Sequence, residues 1–446
     1  MSIRVNSWPA FCYSLVLMFL QRCIAPECRA EYAIDDRLYV CSRCGGLLDI
    51  ERVEEIDATP LREIWRERRM SPDQRDRSGV WRFREFLPFA PDAEIVTLVE
   101  GNTPLYEAPR SANYCRISRL QLKHQGANPT GSFKDTGMTA AVTQARKLRA
   151  RLVMCASTGN TAASLAAYAA RADLLCAIIV PSGQVSHAKL AQALDYGAKV
   201  LEVEGNFDSC MNVIRELSED DSVYLVNSIN PFRIEGQKTV AFELAEQLEW
   251  QVPDHLILPG GNLGNSSAFG KGFRELLSCG LIDRQPKITV IQAEGASPFA
   301  SYYADPSQNF VNEDHPKTLA SAIKIGAPVS WQKAWRAVRE TAGRVITVSE
   351  QEIADAKAVI GRDGVGCEPA SATTVAGVRK LVAGGFIDED ETVVAVLTGH
   401  LLKDTDYVMQ YHSQTLTTPD NQRINGTFAN SPIKVSASIE ALRRFL

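Results

Sequence analysis

The chain lacks what a nucleic-acid binder or a membrane protein needs. Its 446 residues carry a net charge of −5, so no cationic excess favours a polyanion, and no nucleic-acid partner is expected. No membrane association is expected either. The apolar run Phe11 to Leu20 holds ten residues, too few to cross a bilayer. It follows Arg4 as a signal-peptide core would, but no small-x-small cleavage site comes after it before the cysteines begin. It is expected to be a packed N-terminal segment or a consequence of the assigned start codon. Cysteine is sparse for a disulfide scaffold, at eleven residues. Seven of these, Cys12, Cys115, Cys155, Cys176, Cys210, Cys279 and Cys367, stand singly, mostly among apolar neighbours, and read as small core residues. That usage suits a reducing cytoplasm, the expected location.

Two phosphate-binding signatures are also missing. No glycine-rich loop ends in Gly-Lys-Ser/Thr, which excludes a P-loop. The glycine-rich stretch that is present carries an asparagine pair foreign to a dinucleotide fingerprint.

The remaining composition is that of a soluble globular protein, with 45% hydrophobic and 23% charged residues. The length exceeds one ordinary core, so two or three domains are expected. The expected division is an N-terminal segment over residues 1–55, a catalytic body over 56–410 and a C-terminal tail over 411–446 packed on the body. A smaller, mobile unit over residues 150–240 is expected inside the body. A short helix is expected over Ser436–Leu446, and another around Glu63-Ile-Trp-Arg.

The other four cysteines form two knuckles, Cys23 with Cys28 and Cys41 with Cys44, twelve residues apart. Paired thiolates in this pattern match a tetrahedral structural zinc ribbon, and Gly45-Gly46 permits the tight turn a knuckle makes. Four residues separate Cys23 from Cys28 where two are commoner, and the alternative is four metal-free thiols. No histidine accompanies them, so a metal here would be structural.

From residue 100 onward, short apolar runs alternate with helical patterns. Leu152–Cys155, Leu175–Val180, Val200–Val203, Val223–Val226, Leu256–Leu258, Ile288–Ala293 and Val393–Leu397 read as buried parallel strands. Lys134–Leu148, Ala162–Ala170, Ala188–Leu194 and Thr239–Leu248 read as helices. The fold class is α/β: two open, twisted, mostly parallel sheets flanked by helices, preceded by the zinc-ribbon-like segment. Such sheets bind ligands beyond the carboxyl ends of their strands.

The loops at those ends carry the chemistry. Ser157-Thr-Gly-Asn-Thr161 opens a helix, whose N-terminus suits an anion, and Asn160 can donate to a phenolic oxygen. Gly260-Gly261-Asn262-Leu263-Gly264-Asn265 lets the backbone wrap a phosphate with consecutive N–H groups. Thr398-Gly-His400 places a hydroxyl at a strand end. Asn128-Pro-Thr-Gly-Ser-Phe-Lys134 is a loop running into a helix, with a lysine where the helix dipole disfavours an ammonium. A lysine destabilised as a cation can form a Schiff base and then act as a base near neutral pH. Alone, each of these reads as turn chemistry or an exposed lysine. Together they read as a pyridoxal 5'-phosphate site. Lys134 carries the cofactor, Gly261, Asn262, Leu263, Gly264 and Asn265 hold its phosphate, Asn160 meets the ring hydroxyl and Thr398 faces the pyridine nitrogen. A neutral hydroxyl there favours elimination or replacement over transamination.

Asn128–Asp135, Ser157–Thr161, Pro259–Asn265, Thr398–His400, Asn227–Lys238 and Phe207–Asn212 resemble threonine synthase of the fold-type II pyridoxal phosphate enzymes, plant-type branch. The resemblance spans residues 95–405. It departs at Thr136, where an arginine is common. The family's reaction converts O-phospho-L-homoserine and water into L-threonine and phosphate. The resemblance implies that Lys134 moves the Cα and Cβ protons, that γ-phosphate then leaves, and that water adds at Cβ. It also implies that Arg233, with Asn227 and Ser228 in the same loop, takes the substrate phosphate, and that Ser157 and Thr158 take its carboxylate. A salt bridge to Glu235 or another acid is the competing reading of Arg233. Glu368 is expected to shape the pocket without a catalytic part, and a homodimer is expected. A threonine or serine dehydratase of the same fold is the alternative. Those enzymes carry a histidine after the Ser-x-Gly-Asn turn, where this chain has Thr161.

Overall fold

The computed structural model describes residues 18–182, 187–204, 213–214, 216–217 and 220–444. Most of the early apolar run and the motif Phe207–Asn212 lie outside the described residues, as do Cys12 and Cys210.

Among the described residues thirteen strands form three sheets. The first, β1 (Phe19–Cys23), β2 (Glu31–Ala33) and β3 (Leu48–Arg52), is antiparallel in the order β2-β1-β3. β4 (Leu105–Glu107), β5 (Leu120–His124), β10 (His255–Pro259), β11 (Lys287–Ala293), β12 (Val345–Val348) and β13 (Val393–Leu397) make the largest, ordered β12-β11-β10-β13-β5-β4. All its pairings are parallel except that of β4 with β5. β6 (Leu152–Ala156), β7 (Leu175–Pro181), β8 (Lys199–Val203) and β9 (Val223–Leu225) make the third, all parallel, ordered β8-β7-β6-β9. Every residue of β10 and β13 is buried, as expected of parallel strands covered on both faces. Each such Leu, Val or Ile contributes about 1.5–3 kcal/mol through burial.

The helices that position the site are α1 (Leu61–Arg69), α2 (Lys134–Lys147), α3 (Asn160–Arg171), α4 (Pro231–Gln247), α5 (Gly264–Ser278), α6 (Trp331–Glu340), α7 (Glu350–Arg362), α8 (Pro369–Ala383) and α9 (Thr405–His412). None of the described helices is long and apolar enough to cross a membrane. α4 starts at Pro231, earlier than the apolar periodicity suggested, because Asn230 caps it by accepting from Phe232 N (3.0 Å) and proline fits the first turn. Arg233 therefore stands on a helix and not in the loop expected for it.

α2 and α4 touch backbone to backbone. A Cβ on Gly236 would lie 1.9 Å from the Thr136 carbonyl oxygen, and one on Gly137 would lie 2.8 Å from that of Arg233. Only glycine allows this approach, which sets the first turns of the two helices, with Lys134 and Arg233, side by side.

The N-terminal sheet is tied to both larger ones. Asp49 on β3 pairs with Lys333 (3.1 Å) and Arg336 (2.9 Å) of α6 and lies 3.9 Å from Lys271 of α5. Burial would raise its carboxyl, but these three cations hold it far below the usual range. Toward the third sheet, the Tyr39 hydroxyl accepts from Leu225 N at 2.7 Å, and Arg37 donates to Val223 O (3.3 Å) and Leu148 O (3.2 Å). In the C-terminal segment Leu416 and Ile424 pack with Tyr407 and Tyr411 on Ala354, whereas residues 431–440 are exposed. The last helix covers Ile439–Arg443.

Candidate active site

Lys134 is delivered by a loop stitched to the end of β13. Phe133 N donates to Thr398 O and His400 N donates to Gly131 O, both at 2.9 Å. Gly131 takes φ +84°, which a side chain would disfavour. Behind the loop, Asp135 accepts from Thr130 N (2.7 Å), Thr130 Oγ1 (2.6 Å) and Ser164 Oγ (2.5 Å), while burial pushes its carboxyl up to about 6. The Lys134 ammonium lies 3.7 Å from the Phe133 ring centre. Burial first, and the Arg233 charge second, lower its pKa to about 7, with Glu368 pulling the other way.

Glu368 joins the two side chains expected at the ring hydroxyl and the ring nitrogen of the cofactor. Its Oε2 accepts from Asn160 Nδ2 (3.0 Å), and its Oε1 accepts from Thr398 Oγ1 (3.2 Å), which also lies 3.1 Å from Ser371 Oγ. Burial raises this carboxyl. Pro369 at the first position of α8 makes Glu368 the N-cap residue and turns it toward the site. Sequence reasoning gave Glu368 no more than a shaping part, because its partners lie far along the chain.

The loop between β10 and α5 bends at Leu263, which takes φ +63°. Among the described residues, no acceptor meets the backbone N–H groups from Gly261 through Ser266. The left-handed residue followed by helical ones gathers these donors into a concave anion-binding turn. Ser266 Oγ, Asn265 Oδ1 and Gln125 Nε2 are buried beside it without partners, and Asn265 Nδ2 donates to Gln125 Oε1 (3.1 Å). Asn262 braces the loop by donating to Ser228 Oγ (3.0 Å) and accepting from Val329 N (2.8 Å).

Asn227 spends its amide on the end of β6, accepting from Ala156 N (3.0 Å) and donating to Ala156 O (3.2 Å). Ser157 and Thr158 stand half-buried just before α3, and Ser157 Oγ accepts from Gly159 N at 3.2 Å. Arg233 is 3% exposed, donates weakly to Val226 O (3.4 Å) and leaves Nε without a partner. Glu235 does not neutralise it, since that carboxylate takes Lys238 (2.7 Å) and Lys271. Among the described residues Arg233 has no ion pair, and burial lowers it to about 10.

Away from this site the four knuckle sulfurs converge. Sγ of Cys23 and Cys44 lie 3.5 Å apart, those of Cys28 and Cys41 3.6 Å apart, and all four lie within 4.8 Å of one another. A tetrahedral zinc with bonds of about 2.3 Å places its sulfurs about 3.8 Å apart. The cluster could hold such an ion.

Residues 96–399 match the family model of the pyridoxal-phosphate dependent enzymes. A threonine synthase from Methanocaldococcus jannaschii is 44% identical over 429 residues, covering 96% of this chain and 99% of that one. A threonine synthase from Synechocystis is 47% identical over 332 residues, covering 74% and 84%.

The chain belongs to the threonine synthase family.

Solved structures agree on the fold. A fungal L-serine ammonia-lyase from Rhizomucor miehei gives a TM-score of 0.61 at 20% identity, covering 72% of this chain and 100% of that one. The processed form of threonine deaminase isoform 2 from Solanum lycopersicum gives 0.59 at 21% identity, covering 68% and 82%. Likeness at such identity concerns the fold alone. The family's cofactor is pyridoxal phosphate, and the pocket of this member fits it. Lys134 is an amine with a lowered pKa, and the Gly261–Ser266 turn offers unmet donors for a phosphate.

Proposed function

We propose that this chain converts O-phospho-L-homoserine and water into L-threonine and phosphate. Arg233 carries the reading. A buried guanidinium without a carboxylate is costly unless an anion arrives to meet it. The cofactor phosphate has its own turn at Gly261–Ser266, so Arg233 is left for a phosphate on the substrate. A dehydratase acting on serine or threonine would have no use for it.

In this reading Arg233 takes the γ-phosphate through charge-assisted hydrogen bonds and stabilises it as it leaves. The substrate carboxylate meets Ser157 and Thr158 at the N-terminus of α3. Asn227 acts by holding the end of β6, and Ser228 acts by bracing Asn262. Bound pyridoxal phosphate supplies the electron sink for charge developing at Cα. Lys134 Nζ, lowered to about 7, can accept a proton and return it at neutral pH. Thr398 presents a neutral hydroxyl whose direction is set by Ser371 and Glu368. The knuckle cluster is a structural zinc site in the same proposal.

The test is an assay of the holoenzyme with O-phospho-L-homoserine, following phosphate and threonine together. Equal amounts of both are expected. Arg233→Gln should lower kcat/KM about 10- to 100-fold, the loss of one or two charge-assisted hydrogen bonds. Ammonia from serine or threonine as the main product would overturn the proposal.

A further inference from the structure

A cavity of about 610 Å³ lies between α7, α9 and residues 428–430. That size is ordinary for a small-molecule site. Lys134, Asn160, Arg233, Thr398 and the Gly261–Asn265 loop do not line it. Lys357, Arg362 and His412 do, together with the rings of Tyr407, Tyr411 and Phe428, and no lining residue is acidic.

The sharpest observation is Lys357. It is 8% exposed, and among the described residues it has no hydrogen bond or ion pair. Among the described residues the buried lysines outside the catalytic pocket otherwise meet carboxylates: Lys123 has Glu243, Lys238 and Lys271 share Glu235, and Lys333 has Asp49. Asp404, whose charge reaches Lys357 through space, does not line the cavity. The Tyr407 hydroxyl is likewise buried without a partner. Arg362 lies 4.9 Å over the Phe428 ring and donates to Phe428 O at 3.4 Å. His412 Nδ1 accepts from Asn430 N at 3.0 Å, so the neutral ring carries its proton on Nε2 and remains a donor.

We propose that this cavity is a second ligand site, built for a small organic anion, a carboxylate or phosphate on an aromatic or aliphatic body. Lys357 and Arg362 supply the charge, Tyr407 and His412 supply donors, and the rings cover the apolar body. An ammonium kept unpaired in a buried wall costs stability, which a ligand-binding role accounts for and a packing role does not. The site adjoins the catalytic pocket. Cys367 lines the cavity and bridges to His400, and the next residue, Glu368, contacts Asn160 and Thr398.

Calorimetric titration of the holoenzyme with phenyl phosphate, benzoate and neutral benzyl alcohol tests this. At least one of the two anions should bind saturably and roughly tenfold or more tighter than the alcohol, and which one is tighter tells phosphate from carboxylate. Lys357→Met and Arg362→Gln should each weaken that anion roughly tenfold, whereas Arg233→Gln leaves it unchanged. Lys357→Met should melt no lower than the wild type. The proposal is overturned if neither anion binds, if the alcohol binds as well, if the Lys357 and Arg362 variants bind normally, if Arg233→Gln abolishes binding, or if Lys357→Met melts markedly lower.

Discussion

The amine of Lys134 should be reactive at neutral pH before any cofactor arrives. An ordinary lysine, near 10.5, is neutral in about one molecule in three thousand at pH 7. With its pKa near 7, Lys134 is neutral in about half. Uptake of pyridoxal phosphate by the apoenzyme should therefore be roughly a thousandfold faster at pH 7 than a lysine of ordinary pKa and equal nucleophilicity would allow. Stopped-flow absorbance measures this, with Nα-acetyl-lysine run alongside to divide out the cofactor's own titration. The corrected rate should rise about tenfold per unit up to about pH 7 and then level off. Arg233→Met removes one cause of the depression, so the break should move to higher pH. The same shift has a stability consequence. Between about pH 7 and the unfolded value of 10.5 the unfolded chain binds the extra proton, so this group's contribution to apoenzyme stability rises with pH across that window. Below about 7 both states are protonated and the contribution is flat. Lys134→Ala should abolish that slope. A corrected rate still climbing tenfold per unit through pH 9, or a break that Arg233→Met moves downward, would refute the reasoning.

Asp49→Asn should cost about 3–5 kcal/mol in urea unfolding, because it leaves Lys333 buried without a carboxylate, while Lys271 keeps Glu235. A loss under about 1 kcal/mol would show the ion cluster to be dispensable. Gly236→Ala should cost about 1–3 kcal/mol or more and weaken cofactor retention, since its Cβ would lie 1.9 Å from Thr136 O and must force α2 from α4. Unchanged melting and cofactor content would contradict that. Cys41→Ser with Cys44→Ser should abolish bound zinc on metal analysis and lower the melting temperature. Wild-type protein that is metal-free and equally stable would retire the zinc site.

Much of the catalytic pocket was legible because its parts are contiguous. A lysine after a proline–glycine turn, and glycine-rich turns after apolar runs, are local patterns, and the runs now seen as β6, β7 and β13 are apolar throughout, with β10 and β11 mostly so, because both faces of these strands are covered. What escaped was set by distant partners. β5 reads Leu-Gln-Leu-Lys-His and carries a lysine at its centre of burial, tolerable only because Glu243 on α4 meets it. The start of α4 was signalled by Asn230-Pro231, yet α4 is buried from Pro231 to Ala245, so it shows no amphipathic stripe to mark its length. Glu368 belongs to the same class. Its meaning lies in Asn160 and Thr398, which no local pattern links to it.

The N-terminal segment, read at first only as a candidate metal knuckle, bears on the pocket through geometry. The loops after β9 and β10 belong to different sheets, yet they meet where Asn262 donates to Ser228 Oγ at 3.0 Å. That contact survives only if the two sheets keep their spacing. Tyr39 holds β9 through Leu225 N, while Ile50 O accepts from Lys271 on α5, the helix whose first turn carries the unmet N–H groups. Residues 37–52 thus span from the strand before Ser228 to the helix after Asn262. The four sulfurs lie within and beside this span, with Cys41 and Cys44 between Tyr39 and Asp49. An ion held by those sulfurs would stiffen the chain between its two anchors, so loss of the metal should loosen the Asn262–Ser228 contact along with the knuckles.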